Sequence, residues 1–150
     1  MSDLVRVAVD AMGGDYAPVE PVKGAVEAVN ADERIKVQLV GQVDVIEKEL
    51  QKYTYPKERV EIVPATEIIE TGEPPVNAIR HKKDSSIVVG MKKVRYGEAD
   101  AFVSSGSTGA VLVGGQTIVG RIKGVERPPL APLIPTKDGV VPSDRLRCEC

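Results

Sequence analysis

The sequence predicts an α/β fold, with a parallel sheet whose strands are joined by crossover helices. Short valine-rich runs alternate with segments whose apolar residues recur at helical spacing, which is the pattern of such a sheet. The chain is 42% hydrophobic and holds 14 glycines, yet its aromatics are 4 Tyr and 1 Phe, so the core must come from Val, Ile, Ala and Leu. Two apolar runs also stop directly in small-residue loops, "DAMGGD" and "SSGSTGA". Both loops are thereby expected at one edge of the sheet.

Each element follows from local pattern. Leu4 to Val9 read as a buried strand, and beyond the glycine loop Pro18 and Pro21 suit the opening turn of a helix. In that helix Val22, Ala25, Val26 and Val29 fall at i, i+3, i+4 and i+7, giving one apolar face. Ile35 to Val40 form a second strand closed by Gly41. Val43 to Tyr53 predict a helix with Val45, Ile46 and Leu50 on one side, and Val60 to Val63 a third strand. The segment "TGEPPVNAIRHKKDSS", with a proline pair and a charged run, predicts a loop or short helix on the surface. Asp84 or Ser85 then caps a helix carrying Ile87, Val88, Met91 and Val94, which Gly97 ends. Ala101 to Val103 is the fourth strand, and a glycine-rich helix runs from its loop to about Gly120. A chain of 150 residues suffices for one domain with a core and is short for two, and no repeat or linker divides it.

Totals narrow the function. A formal net charge of -2 gives no bulk attraction to nucleic acid or to an anionic membrane, so any basic site must be local. No charged-then-apolar leader with a small-residue cleavage site opens the chain, and "GAVLVGGQTIVG" is too short to span a bilayer. The expectation is a cytoplasmic protein. Cys148 and Cys150 are a weak metal or redox signal, because a zinc site needs further ligands and His81 is the only histidine. No metal and no cofactor are expected.

Ligands of open parallel sheets collect outside the carboxyl ends of the strands. In "SSGSTGA", Gly106 and Gly109 permit close backbone approach and Ser104, Ser105, Ser107 and Thr108 supply hydroxyls, a setting for phosphate or another small anion. The plainer reading is that these glycines only make tight turns. Asp10 and Asp15 are suited to bind a cation, orient a base or act as one; structurally, Asp15 would cap the following helix and Asp10 close a turn. Arg80, His81, Lys82 and Lys83 form a basic run that reads as a solvated face, or as a docking patch or phosphate anchor. No nucleophile stands near His81 in a way that suggests a triad. Arg121, Lys123 and Arg127 form a second basic set.

Four motifs, "VAVDAMGGDYAP", "PVNAIRHKKDSS", "VSSGSTGA" and "GRIKGVERPPLAPLIPT", stand in the order and spacing of one family. From Leu4 to about Gly139 the chain resembles the PlsX-type phosphate acyltransferases of bacterial phospholipid synthesis. The resemblance implies a three-layer Rossmann-like sheet of the isocitrate/isopropylmalate dehydrogenase kind, incomplete here. It implies transfer of a long-chain fatty acyl group from acyl carrier protein to inorganic phosphate, no cofactor, a homodimer, and a cytoplasmic location with peripheral membrane contact left open. Asp10, Lys82, Lys83 and Asp84 are then the candidate catalytic residues, with Ser85 in the same motif. Gly13, Gly14, Asp15, Ser104, Gly106, Ser107, Thr108 and Gly109 are the phosphate and thioester region, and Arg80, Arg121, Lys123 and Arg127 the carrier-protein docking set. Ser105 and Ser107 depart from the family, where many members have Ala and Asn. A phosphate acetyltransferase or a dehydrogenase of related architecture is the alternative among enzymes, and a non-catalytic fragment that binds phosphate or carrier protein is the alternative outside them.

Residues 1–139 are thus expected to be the N-terminal portion of the family domain, and 140–150 a tail outside it. One permitted codon spelling of "PSDRLRCEC", read one base later, gives "LLIDCGANV", which resembles the family's next strand and glycine loop. If the coding sequence continues as the family's "NVD" would, the present frame meets a stop after Cys150. The expectation is a frameshift product in which Pro142 to Cys150 carry no selected function; the alternative is a divergent C-terminus. The sheet would then keep an exposed edge and solubility would suffer.

Overall fold

A computed structural model describes residues 4–126, 133–137 and 139–142. Its main sheet has four parallel strands in the order β3-β2-β1-β4, formed by β1 (Val5–Asp10), β2 (Ile35–Gly41), β3 (Val60–Pro64) and β4 (Ala101–Val103). The helices are α1 (Val19–Ala31), α2 (Val43–Leu50), α3 (Pro75–His81), α4 (Ser86–Arg95) and α5 (Thr108–Gly114), the last continued by a π turn over Gly115–Val119. A two-stranded antiparallel hairpin, β5 (Leu133–Thr136) and β6 (Gly139–Pro142), forms a separate small sheet. The expected α/β architecture is present. The sheet is a partial one.

Register and pleat assign the layers. Val5, Val7 and Val9 of β1 pair with Ile35, Val37 and Leu39 of β2, and alternate side chains along a strand face opposite ways. Val37 and Leu39 pack with Val22, Ala25, Val26 and Val29 of α1 and with Ile46 and Leu50 of α2. On the other face Ala8, Val40 and Val63 lie under Val89 and Val94 of α4, with Phe102 of β4. Beyond that layer Ala78 and Ile79 of α3, Ile87, Val88 and Met91 of α4 and Ala110 of α5 form a further cluster. Three layers result, helix on sheet on helix.

Several sequence expectations are refined. The predicted apolar face of α1 is buried at all four positions. Ser85, not Asp84, caps α4, its hydroxyl accepting the Val88 N–H at 3.4 Å, and Gly97 follows the helix at φ +71°. The helix expected over Val43 to Tyr53 stops at Leu50, where a tight turn takes over and Tyr53 N donates to Leu50 O. The segment read as a surface loop or short helix is α3, whose Ala78 and Ile79 are core residues. Asp15 does not cap α1: the helix opens at Val19 with Pro18 in the cap position and no side-chain cap bond, so Asp15 is too far upstream to reach its first N–H groups. Arg127, Cys148 and Cys150 lie outside the described residues.

Candidate functional site

Two loops meet at the carboxyl edge of the sheet, after β1 and after β4, because those strands are neighbours. Asp10 ends β1 and is buried, at 1% exposure. Its Oδ1 accepts the Met12 N–H at 3.1 Å, which closes the turn. Its Oδ2 accepts the Ser104 hydroxyl at 2.7 Å, and Ser104 Oγ in turn accepts the Gly106 N–H at 3.0 Å. One carboxylate thus organises both loops. A carboxylate taken out of water needs such donors, since an unpartnered buried charge is costly.

Glycine is required where the loops touch. A Cβ on Gly13 would lie 2.3 Å from Asp10 Oδ2 and 2.9 Å from the Gly106 backbone nitrogen, so no side chain fits there. Gly14 has φ +100°, left-handed backbone that a side chain disfavours, and sits against Ser105. The N–H groups of Gly13 and Gly14 take no protein acceptor among the described residues. Ser107 caps α5 by accepting the Ala110 N–H at 3.3 Å, so its hydroxyl is structural as well as polar.

Beside these loops runs a groove of ≈ 540 Å³, lined by Asp10, Gly13, Gly14, Asp15, Ser104 and Ser105 at one end. Its remainder is apolar, with Val7, Val9 and Val103 from the sheet and Pro21, Gly24 and Ala28 from α1. Tyr16 and Glu20 also line it, and sequence reasoning missed both. Their only signal was position just after the glycine loop.

The basic motif lies elsewhere. Lys82 Nζ bonds Glu73 Oε1 at 2.5 Å and donates to the Ile68 carbonyl at 2.6 Å. Asp84 Oδ2 accepts from Thr66 N at 3.0 Å and from Thr66 Oγ1 at 2.5 Å, and the Asp84 N–H donates to Glu67 Oε2 at 2.9 Å. Lys83 Nζ reaches the Ile79 carbonyl at 3.3 Å, while Arg80 is exposed on α3. The segment between β3 and α4 is therefore stitched to itself, and Lys82, Lys83 and Asp84 do not line the groove at Asp10. Hydrogen bonds from the Lys82 side chain to Glu73 and from the Thr66 side chain to Asp84 hold both carboxyls below their ordinary range.

Thr108 and Arg121 line a second hollow of ≈ 330 Å³ on the outer side of α5, together with Val111, Leu112 and Ile122. Arg121 donates to the Glu126 carbonyl at 2.6 Å, and Lys123 is exposed in the following turn. The candidate residues thus fall into three groups. Asp10, Gly13, Gly14, Asp15, Ser104 and Gly106 come together; the Lys82 motif and the Arg121 region stand apart from them.

Residues 5–144 match the model of a family described as "Fatty acid synthesis protein". The chain belongs to this family. It is 52% identical over 137 residues to the phosphate acyltransferase of Alkaliphilus oremlandii, and 50% identical over 135 residues to that of Clostridium beijerinckii. A relative of the same name from Halothermothrix orenii is 45% identical over 135 residues. These matches cover 90 to 91% of this chain but 40% of each relative, so it spans well under half their length. The resemblance drawn from the four motifs to the PlsX type agrees with these matches. Among the described residues no helix is long and apolar enough to cross a membrane.

Proposed function

We propose that the chain supplies the phosphate-binding half of a phosphate acyltransferase, which moves a fatty acyl group from acyl carrier protein to inorganic phosphate and yields acyl phosphate. The observation that carries this reading is the joining of the two glycine loops through Asp10 and Ser104, beside an apolar groove.

The chemistry suits such a site. Phosphate is itself the nucleophile, so no catalytic Ser or Cys is required, and the protein must hold a dianion against a thioester and stabilise the developing oxyanion. Backbone N–H groups of successive glycines form an anion-binding concavity, and those of Gly13 and Gly14 are free of protein acceptors among the described residues. The departing thiol has a pKa of about 8.5, so strong acid assistance is not essential. Asp10, holding Ser104 and hence Gly106, keeps the loop backbones in place. Lys82, Lys83 and Asp84 enter this reading through the family motif, as a rigid basic corner outside the groove. Arg80, Arg121, Lys123 and Arg127 provide cations for an acidic carrier protein. A homodimer, a cytoplasmic location and peripheral contact with membrane belong to the same proposal.

A second reading is favoured by the chain's span of 40% of its relatives: alone, it binds phosphate or carrier protein without turnover. The two are separated by assaying acyl phosphate from acyl carrier protein and phosphate, with this chain beside a version extended to the relatives' length. Activity in the extended form alone supports family chemistry and an inactive short chain. Equal turnover with acetyl-CoA and no preference for long-chain acyl carrier protein would overturn the assignment of donor.

A further inference from the structure

We propose that the corner where α3 meets α4 is the surface on which the acidic, thioester-bearing carrier protein docks, with Arg80, Lys83 and Lys92 as its cations and Val76 as its apolar anchor. This deepens the acyl-transfer reading and rests on it for the identity of the partner.

Charge is unevenly divided along the chain. Residues 75–96 hold six of the 20 basic residues and one of the 22 acidic ones, a net charge of +5 in a chain that totals -2. Everything outside that stretch is acidic in sum, so an acidic partner is steered towards the stretch and away from the rest.

Folding gathers these cations. Lys92 Nζ runs back from α4 to the Lys83 carbonyl at 3.3 Å, and Lys83 Nζ reaches the Ile79 carbonyl of α3 at 3.3 Å. Long side chains on a helix lean towards its N-terminus, which is how a residue further along α4 arrives at the turn before it. Two other lysines of the stretch are already neutralised, Lys82 by Glu73 and Lys93 by Glu98. Arg80, Lys83 and Lys92 form no ion pair among the described residues. The single carboxylate of the stretch, Asp84, is held by Thr66. Three cations thus stand together with their charge unspent.

The place suits the partner's cargo. All four strands of the main sheet are parallel, so their carboxyl ends share one edge. The turn from Lys82 to Asp84 is tied to that edge: Thr66, after β3, donates its N–H to the Asp84 carbonyl at 3.1 Å, and Gln42, after β2, donates to the Thr66 carbonyl at 3.4 Å. The glycine loops joined by Asp10 and Ser104 follow β1 and β4 on the same edge. A carrier seated at the corner delivers its acyl group along the edge. Such docking accounts for a basic motif that stands apart from the groove. Val76 is 62% exposed and lies one turn before Arg80, on the same side of α3. A lipid surface would want several apolar side chains to insert, but those of α4, Ile87, Val88 and Met91, are buried. One apolar contact among cations fits an acidic protein helix.

The test follows fluorescently labelled acyl carrier protein from Alkaliphilus oremlandii binding to this chain, by stopped flow and anisotropy. Association that slows with added salt is expected. Arg80→Glu with Lys83→Glu, both at exposed positions, should slow it about tenfold or more at low salt. Lys92→Gln should act in the same direction. Lys23→Glu with Lys48→Glu makes the same change in net charge on α1 and α2, across the sheet, and should leave association near the parent. Circular dichroism melting checks that each variant folds; should the first pair fail to fold, Arg80→Ala and Lys92→Gln carry the comparison. A folded parent that binds no carrier overturns the proposal. So does an equal loss from both pairs of reversals, or a loss confined to Arg121→Glu with Lys123→Glu. So does capture of the chain by phosphatidylglycerol vesicles through Arg80 and Lys83 with no carrier bound. Carrier binding at this face without acyl phosphate, in the extended form as well, would sink the proposed reaction and leave the docking surface. Turnover by the extended form, with Arg80→Glu and Lys83→Glu silent on both binding and rate, would do the reverse.

Discussion

Ser104 donates its hydroxyl to Asp10 Oδ2 at 2.7 Å across a sequence separation of 94, and Ser104 Oγ itself accepts the Gly106 N–H. A single side chain thereby joins the loops after β1 and β4. Ser104→Ala removes both bonds and leaves the buried carboxylate short of a donor, for a loss of about 1–3 kcal/mol in urea unfolding. An unchanged midpoint would show that the bridge contributes nothing.

The glycines should separate sharply by position. Gly13→Ala drives a methyl into Asp10 and the Gly106 backbone, and is expected to cost about 1–3 kcal/mol. Gly24→Ala, within α1 and in open space, should instead stabilise by about 0.5–1 kcal/mol. Thermal melts of the pair read the contrast, and the same sign for both would contradict the close loop contact.

Gly90 of α4 lies against Phe102 of β4, whose ring Cε2 would stand 2.4 Å from an added Cβ. Gly90→Ala should destabilise by overpacking, about 1–3 kcal/mol. Phe102→Leu should recover part of that loss when combined with it. A double-mutant cycle measures the coupling, and strict additivity would mean that the two do not touch.

Acid should weaken the fold through four carboxyls, Asp84 and Asp100 exposed and Asp32 and Glu73 half-buried. Side-chain hydrogen bonds hold Glu73 (from Lys82), Asp84 (from Thr66) and Asp100 (from Arg6) below the ordinary range, and that from Arg34 takes Asp32 down to about 2. Lowered folded pKa values mean that the unfolded chain binds more protons, so stability rises with pH in this range. The contribution is complete above about pH 4, the ordinary carboxylate value, and is lost as pH falls through the folded values. For Asp32 that loss extends down to about pH 2. Access to solvent at all four keeps each effect small. Urea midpoints measured across this range should climb with pH, less steeply in Asp84→Asn, and a flat profile would refute the assignment.

Much of this architecture is legible in the sequence because it is written in local period. The valine runs mark the strands, Ala101 to Val103 included, and the i, i+3, i+4, i+7 set of α1 marks its buried face. Long-range partners are not legible in that way. Nothing near Lys82 announces Glu73 and the Ile68 carbonyl as its partners, because a charge run states no direction. Likewise the bond between Asp10 and Ser104 depends on β4 settling beside β1, which no local pattern encodes. Proline and charge around α3 mask a buried pair, Ala78 and Ile79, too short for periodicity to resolve.

The neighbour relation of β1 and β4 also orders events in time. β1 can pair with β2 as soon as residue 40 is available, but its other edge waits until Val103 has been made. Closing so long a loop is entropically expensive and slows the step that needs it. The joining of the two glycine loops is therefore expected among the last events of folding. On a ribosome, Asp10 would emerge early and spend most of the synthesis of this segment without the serine that later holds it.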